Sequence, residues 1–178
     1  MHSIIKRIVT IVGITFSCLV WSEEAPKNPN VVTYGDWGMQ CTEEAKLHIC
    51  QAVQVLWLEQ DKKKQRVLTL QLIPKDEEQK VLQLSFPLGV DLRPGIVIAV
   101  DDGSEQKFSY ATCNNQSCFS LILMTEEQLS MFKKGNILKI GFRTFGSDKT
   151  VVLEASLKGF TKANVEVKKT LIKEPSIM

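Results

Sequence analysis

The residues with the widest chemical repertoire here are the cysteines, one histidine and a cluster of acids, and their spacing decides between uses. The cysteines are Cys18, Cys41, Cys50, Cys113 and Cys118. A zinc site wants closely spaced pairs of thiolates, and the eight residues between Cys41 and Cys50 and the four between Cys113 and Cys118 fit that poorly. A thioredoxin-like redox pair is Cys-x-x-Cys, which neither pair is. A nucleophilic cysteine needs a partner base, and His48 is the only histidine beyond His2. His48 itself reads as an exposed residue at a loop edge. Structural disulfides are the expectation. The four cysteines after Cys18 allow three pairings, and local pairing, Cys41–Cys50 and Cys113–Cys118, is favoured because each pair flanks a polar, turn-like stretch. Loops this small are worth about 2–3 kcal/mol each on the chain-entropy estimate.

Other candidates read as architecture. Asp101, Asp102 and Glu105 lack the spacing of a twelve-residue calcium loop and read as a solvated hairpin turn. Ser85, Ser109 and Ser120 lack a Gly-x-Ser-x-Gly elbow and read as outward-facing strand positions. There is no Gly-x-Gly-x-x-Gly, phosphate-binding loop or His-Glu-x-x-His pattern. The expectation is therefore a non-enzyme with no metal and no cofactor. Lys62, Lys63, Lys64 and Arg66 form the densest basic run; it reads as a solvated hairpin loop, with weak affinity for anionic membrane or glycan as the sharper alternative.

The disulfide reading depends on compartment, and the first 22 residues supply one. Lys6 and Arg7 precede a short apolar run, Ile8 to Phe16, too short to span roughly 30 Å of hydrocarbon. This is the pattern of a secretory signal peptide, with cleavage expected between Ser22 and Glu23. Acylation at Cys18 and an uncleaved anchor are the alternatives. An exported chain meets oxidising conditions, where thiols pair. The whole chain of 178 residues has 22 Lys+Arg against 20 Asp+Glu, a net charge of +2. Lys6 and Arg7 account for that excess, so the body from Glu23 onward is neutral. A neutral body argues against nucleic-acid binding, which draws on an excess of cations to displace counterions.

These residues must be positioned by strands. Leu68, Leu70 and Leu72 alternate with polar neighbours, as do Leu82, Leu84 and Phe86, on either side of a charged turn from Pro74 to Lys80. Period-two patterning of this kind marks half-buried antiparallel strands. Similar runs occur at 49–57, 96–100, 106–111, 119–123, 137–142 and 150–156, giving about eight strands. Asp101-Asp102-Gly103-Ser104 and Gly146-Ser147-Asp148-Lys149 read as tight turns. Cys113 to Cys118 reads as a hairpin tip, and Pro87 and Pro94 as a stiff crossing between sheets. One short helix is expected after Thr125, with Gln128 completing a capping box, a Met124–Leu129 staple, and Leu129 and Phe132 on its buried stripe. The fold expected is all-β: an antiparallel β-sandwich, or a partly open barrel, with that single short helix. Residues 23–178 form one domain, with an edge strand and then a flexible tail from about residue 163.

A resemblance enters at the aromatic and glycine positions. Tyr34-Gly35-Asp36-Trp37-Gly38-Met39-Gln40-Cys41 is followed by Pro87 to Ile96 with Gly89 and Gly95, then by Asp101-Asp102-Gly103, the Cys113–Cys118 loop, and Ser156-Leu157-Lys158-Gly159-Phe160. In this order, behind a signal peptide, the chain resembles the invasion-associated locus B family of bacterial secreted proteins over about residues 31 to 162. The resemblance implies a cell-envelope protein of Gram-negative bacteria, linked in some blood-borne pathogens to entry into host cells such as erythrocytes, and it carries over no catalytic residue. The chain departs from that pattern in its lysine-rich 62–64 run and extended C-terminal tail. On physical grounds Trp37 is expected to bury against the opposite sheet, and Gly35, Gly89, Gly95 and Gly103 to supply turn geometry. The expectation is a periplasmic or surface-associated protein acting through an unidentified protein or surface ligand, with no nucleic acid and weak membrane contact at most. The alternative is an envelope-maintenance or chaperone-like protein with no host role.

Overall fold

The computed structural model describes residues 32–44, 47–60, 63–76 and 78–171. The expected signal segment, with Cys18, and the last seven residues lie outside them.

Among the described residues, twelve strands and two helices follow one another in chain order. The strands are β1 (Val32–Tyr34), β2 (Trp37–Glu44), β3 (Leu47–Gln60), β4 (Lys63–Pro74), β5 (Lys80–Pro87), β6 (Ile96–Val100), β7 (Gln106–Phe108), β8 (Thr112–Cys113), β9 (Ser117–Leu123), β10 (Ile137–Arg143), β11 (Thr150–Ser156) and β12 (Lys168–Leu171). Helix α1 (Glu126–Lys134) lies between β9 and β10, and α2 (Phe160–Glu166) between β11 and β12. All pairings are antiparallel. The large sheet runs β1-β2-β3-β4-β5-β9-β8 with β12 beside β3, and the smaller runs β11-β10-β6-β7. The two sheets stay separate, so the fold is a sandwich and not a closed barrel.

The alternation that marks the strands also builds the core. Leu68, Leu70 and Leu72 of β4 and Leu82, Leu84 and Phe86 of β5 are all fully buried. They face Ile96 and Ile98 of β6 and Leu138, Ile140 and Phe142 of β10 in one cluster. Phe86 joins the layers through edge-to-face contacts with Phe142 and Tyr110, at centroid distances of 5.1 and 5.4 Å. Helix α1 forms as its sequence dictates. Thr125 and Gln128 make the reciprocal capping box, Glu126 and Glu127 sit at the positive end, Lys133 and Lys134 at the negative end, and Leu129 and Phe132 are buried.

Several expectations change. The single helix becomes two: Phe160, Ala163, Asn164 and Val167 fall on one helical stripe and are all buried, so the chain coils where a tail was expected to begin. Beyond it β12 pairs with β3 and supplies the edge strand expected in this segment. The 106–111 run is strand only over β7, and the chain then passes to β8, just beyond the run, in the other sheet. Lys62 lies outside the described residues, and Lys63, Lys64 and Arg66 stand in strand β4, whose ladder with β3 reaches Gln60 and Lys63. Ser120 faces inward, fully buried, and its Oγ donates to the Ser109 carbonyl at 2.8 Å. In the β6–β7 turn the left-handed residue is Asp101 (φ 50°), not Gly103. The Asp101 carboxylate holds that conformation by accepting from the Asn136 and Ile137 amides at 3.2 and 2.9 Å, which ties the turn to the start of β10.

Candidate functional site

Four places gather the candidate residues. The first joins the two ends of the fold. Tyr34 to Trp37 and Ser156 to Phe160 are far apart in sequence but meet at the edge where the two sheets close on each other. The Asp36 amide donates to the Lys158 carbonyl at 3.1 Å. Trp37, fully buried, donates from Nε1 to the Ser156 carbonyl of β11 at 3.0 Å and stacks edge-on against Phe160 at 5.3 Å. Gln54 of β3 bridges the same seam, donating from Nε2 to the Ser156 and Asp36 carbonyls at 3.0 and 3.1 Å. The backbones approach so closely that a Cβ on Gly159 would overlap the Tyr34 carbonyl, and one on Gly35 would meet the Lys158 carbonyl. Both glycines also have positive φ, 59° for Gly35 and 92° for Gly159. The work of Gly35, Asp36, Trp37, Gly159 and Phe160 here is architectural.

The second place is the crossover from β5 to β6. Gly89 and Gly95 lie at its two ends, and it is stitched to the end of β10. The Asp91 amide donates to the Arg143 carbonyl at 2.8 Å, and the Phe145 amide to the Gly89 carbonyl at 2.7 Å. The Asp91 side chain, 8% exposed, takes a two-pronged contact from Arg93, with both nitrogens at 2.9 Å. That hydrogen bond from Arg93, aided by the charges of Arg93 and Arg143, holds the Asp91 carboxyl below its usual pKa range. A shallow hollow of about 460 Å³, lined by Asp91, Arg93, Pro94, Arg143, Ser147 and Asp148, opens beside it. Beneath lies Tyr110, its phenol pushed up to about 12 by burial and then by the charge of Asp91.

The third place is the end of the β2–β3 hairpin. Cys41 and Cys50 face each other in register and are bonded. His48 is part of β3, not of a loop, and lies half-buried with Nε2 3.2 Å from Cys50 Sγ and Nδ1 3.9 Å from a Glu43 carboxylate oxygen. Donor atoms of Cys41, His48 and Cys50 lie within 4.8 Å of one another, the grouping of metal-ligating types found among the described residues. With the sulfurs bonded to each other they offer no thiolate to a metal. Cys113 and Cys118 likewise face each other across β8 and β9 and are bonded.

The fourth place is the outward face of the large sheet. Register sets three rows across it. These are Val55-Thr69-Ser85-Phe119, Gly38-Val53-Gln71-Gln83-Leu121 and, in two segments, Gln40-Gln51 and Ile73-Val81-Leu123. None of these fourteen residues is charged, in a chain that is 24% charged. Leu121 and Leu123 are 50% and 48% exposed, and glutamines bond to each other across the strands, Gln83 Nε2 to Gln71 Oε1 at 2.9 Å. Solvated antiparallel faces ordinarily carry charge, and an uncharged one with apolar side chains is characteristic of contact surfaces. Beyond its rim, past an irregularity in the ladder at Leu56/Trp57, the β3–β4 hairpin presents exposed Trp57 and Leu58, with the Lys64 ammonium 5.4 Å from the Trp57 ring centroid.

Sequence reasoning missed Asp91, Arg93, Tyr110, Gln54 and the pairing of Lys80 with Asn164. Lys80 at the start of β5 donates to the Asn164 carbonyl and, at 2.9 Å, to its side-chain oxygen. Burial, with Lys133 nearby, lowers its pKa. Asp91 and Arg93, two apart, carry a signal that was available in sequence. The others depend on contacts across long separations. Asp102, expected in a solvated turn, accepts from Lys139 Nζ at 2.9 Å.

Comparison with known proteins bears on about three quarters of the chain. The model of the invasion associated locus B (IalB) protein family matches residues 37–168. Invasion protein B homologs from two strains of Brucella abortus are 28% identical over 133 residues, covering 74% of this chain and 75% of theirs. The crystal structure of invasion associated protein B from Bartonella henselae superimposes with a TM-score of 0.66 at 19% identity, covering 76% of this chain and 92% of that one. That likeness is one of fold.

Proposed function

Since the chain belongs to the invasion associated locus B family, we propose that it is an exported cell-envelope protein that works by contact with another protein, assisting the entry of its bacterium into host cells. The observation that carries this reading is the outward face of the large sheet: three uncharged rows, with Leu121 and Leu123 half exposed. A face of that composition gains free energy when another surface excludes water from it. Asp101, Ser120 and His48 are engaged in a turn, a core bond and a disulfide contact, which favours contact over catalysis. Export rests on the basic and apolar start of the sequence and on the two disulfides. Among the described residues no helix is long and apolar enough to cross a membrane. The test is a deletion strain: host-cell association is expected to fall and to return on complementation. A deletion strain that associates normally but shows envelope defects would favour the maintenance or chaperone-like role. N-terminal sequencing of the envelope-localised protein, expected to begin at Glu23, tests export in the same strain.

A further inference from the structure

The two disulfides form an internal comparison. Each joins residues that face each other directly across an antiparallel pair. Each pairs an exposed residue with a buried one: Cys41 with Cys50, and Cys113 with Cys118, the buried partner being 4% exposed in both. Their surroundings differ. Beside Cys50 Sγ stands His48 Nε2 at 3.2 Å, with the Glu43 carboxylate 3.9 Å from the other ring nitrogen. Lys168 occupies the register position opposite Cys50 on β12. The Cys113–Cys118 tip is closed by Asn114, whose side-chain oxygen accepts from the Gln116 and Ser117 amides, and residues 114–117 are uncharged.

A disulfide opens when a thiolate attacks one sulfur and the other leaves, and the exchange is faster when the departing thiolate is stabilised and the attacked sulfur is accessible. We propose that Cys41–Cys50 is a thiol-exchange site: an external thiolate attacks the exposed Cys41, and Cys50 departs into the hydrogen bond of His48. The entering sulfur forms a bond to Cys41 Sγ as the Cys41–Cys50 bond breaks. The electron pair of that bond leaves on Cys50 Sγ, where an N–H at Nε2 of His48 donates to it. The entering thiol is thereby oxidised to one half of a mixed disulfide, and Cys50 is reduced. The ladder between β2 and β3 runs on either side of the pair and holds Cys50 beside Cys41. A second thiolate, or Cys50 itself, can then resolve the mixed disulfide. The co-reactant is a thiolate of a small molecule or of a dithiol protein.

The test uses the purified oxidised protein, exposed to reduced glutathione in one arm and to a reduced Cys-x-x-Cys oxidoreductase in the other. Both arms are quenched by alkylation and mapped by mass spectrometry. The expected result is opening of Cys41–Cys50 about tenfold faster than Cys113–Cys118, with the adduct on Cys41 and the alkyl group on Cys50. Faster opening in the glutathione arm identifies a small thiol as the better co-reactant, and in the protein arm a dithiol protein. His48→Ala is expected to slow the opening of Cys41–Cys50 about tenfold and leave Cys113–Cys118 unchanged. A loosened hairpin would open faster, so slowing in this variant cannot come from lost stability. Equal opening of the two disulfides, an adduct on Cys50, or an unchanged rate in His48→Ala would each overturn the proposal.

Discussion

Tyr110 packs edge-on against Phe86, and its hydroxyl is buried with no hydrogen-bond partner. Burial, then the charge of Asp91, pushes its pKa from 10.0 to about 12. Below pH 10 the phenol is neutral in the folded and unfolded chain alike, and its contribution is fully present. As pH rises toward 12 the unfolded chain releases a proton that the folded one retains, so stability falls across that window. Tyr110→Phe should therefore flatten the alkaline decline between pH 10 and 12. At pH 8 it should be neutral or mildly stabilising, because it removes an unpaired hydroxyl and breaks no hydrogen bond. Urea midpoints at pH 8, 10 and 11.5 check this, and an equal decline in both proteins would place the titrating group elsewhere. Gly159 makes a sharper demand. A methyl group there meets the Tyr34 carbonyl at a φ of 92°, so Gly159→Ala should cost about 2–3 kcal/mol in urea unfolding. A cost below 0.5 kcal/mol would show that the seam can shift to admit the methyl group.

At the scale of elements, α1 shows local signals agreeing with one another. Its cap, charges and buried stripe all point to the same nine residues. Thr125→Ala should lower stability by about 1 kcal/mol through loss of the Gln128 amide's acceptor, while Thr125→Ser holds near the original value. Thermal unfolding of the pair of variants separates capping from packing. Helix α2 was harder to read because its signals were few. It has seven residues, Gly159 leads into it without a side-chain cap, and its stripe of Phe160, Ala163 and Val167 makes sense only against Trp37 and Phe132. Strand β2 is legible in part: Trp37 and Met39 alternate with Gly38 and Gln40, but Gly35-Asp36-Trp37-Gly38 also reads as a turn motif. Strand β12, Lys-Lys-Thr-Leu, has no apolar alternation and exists because β3 offers it an open edge. Local patterning thus predicted the elements that bury their own faces, and missed α2, whose Phe160 packs on Trp37 more than 100 residues away.

At the scale of the molecule, inner and outer faces of the large sheet were written in the same strands but were not equally readable. Leucines at every second position of β4 and β5 announced the core, whereas the intervening Thr69, Gln71, Gln83 and Ser85 read as ordinary solvated positions. Only register, which sets them beside Val53, Ile73, Val81, Leu121 and Leu123, turns them into one uncharged surface. If that surface is where a partner docks, charge placed there should spoil docking without spoiling the fold. Leu121 and Leu123 are about half exposed and lie on β9 beyond the core, so Leu121→Lys with Leu123→Lys should change stability by roughly 0.5 kcal/mol per site or less. The same two ammonium groups would have to be desolvated on docking, which costs far more than the leucines do. A deletion strain complemented with the double variant should accumulate folded protein at normal levels yet associate with host cells no better than the deletion strain. Lysine at exposed Leu58, on the β3–β4 hairpin beyond the rim, serves as the matched control and should complement fully. Full complementation by the outer-face variant would move the contact away from this sheet, and failure of the Leu58 variant alone would move it to the hairpin.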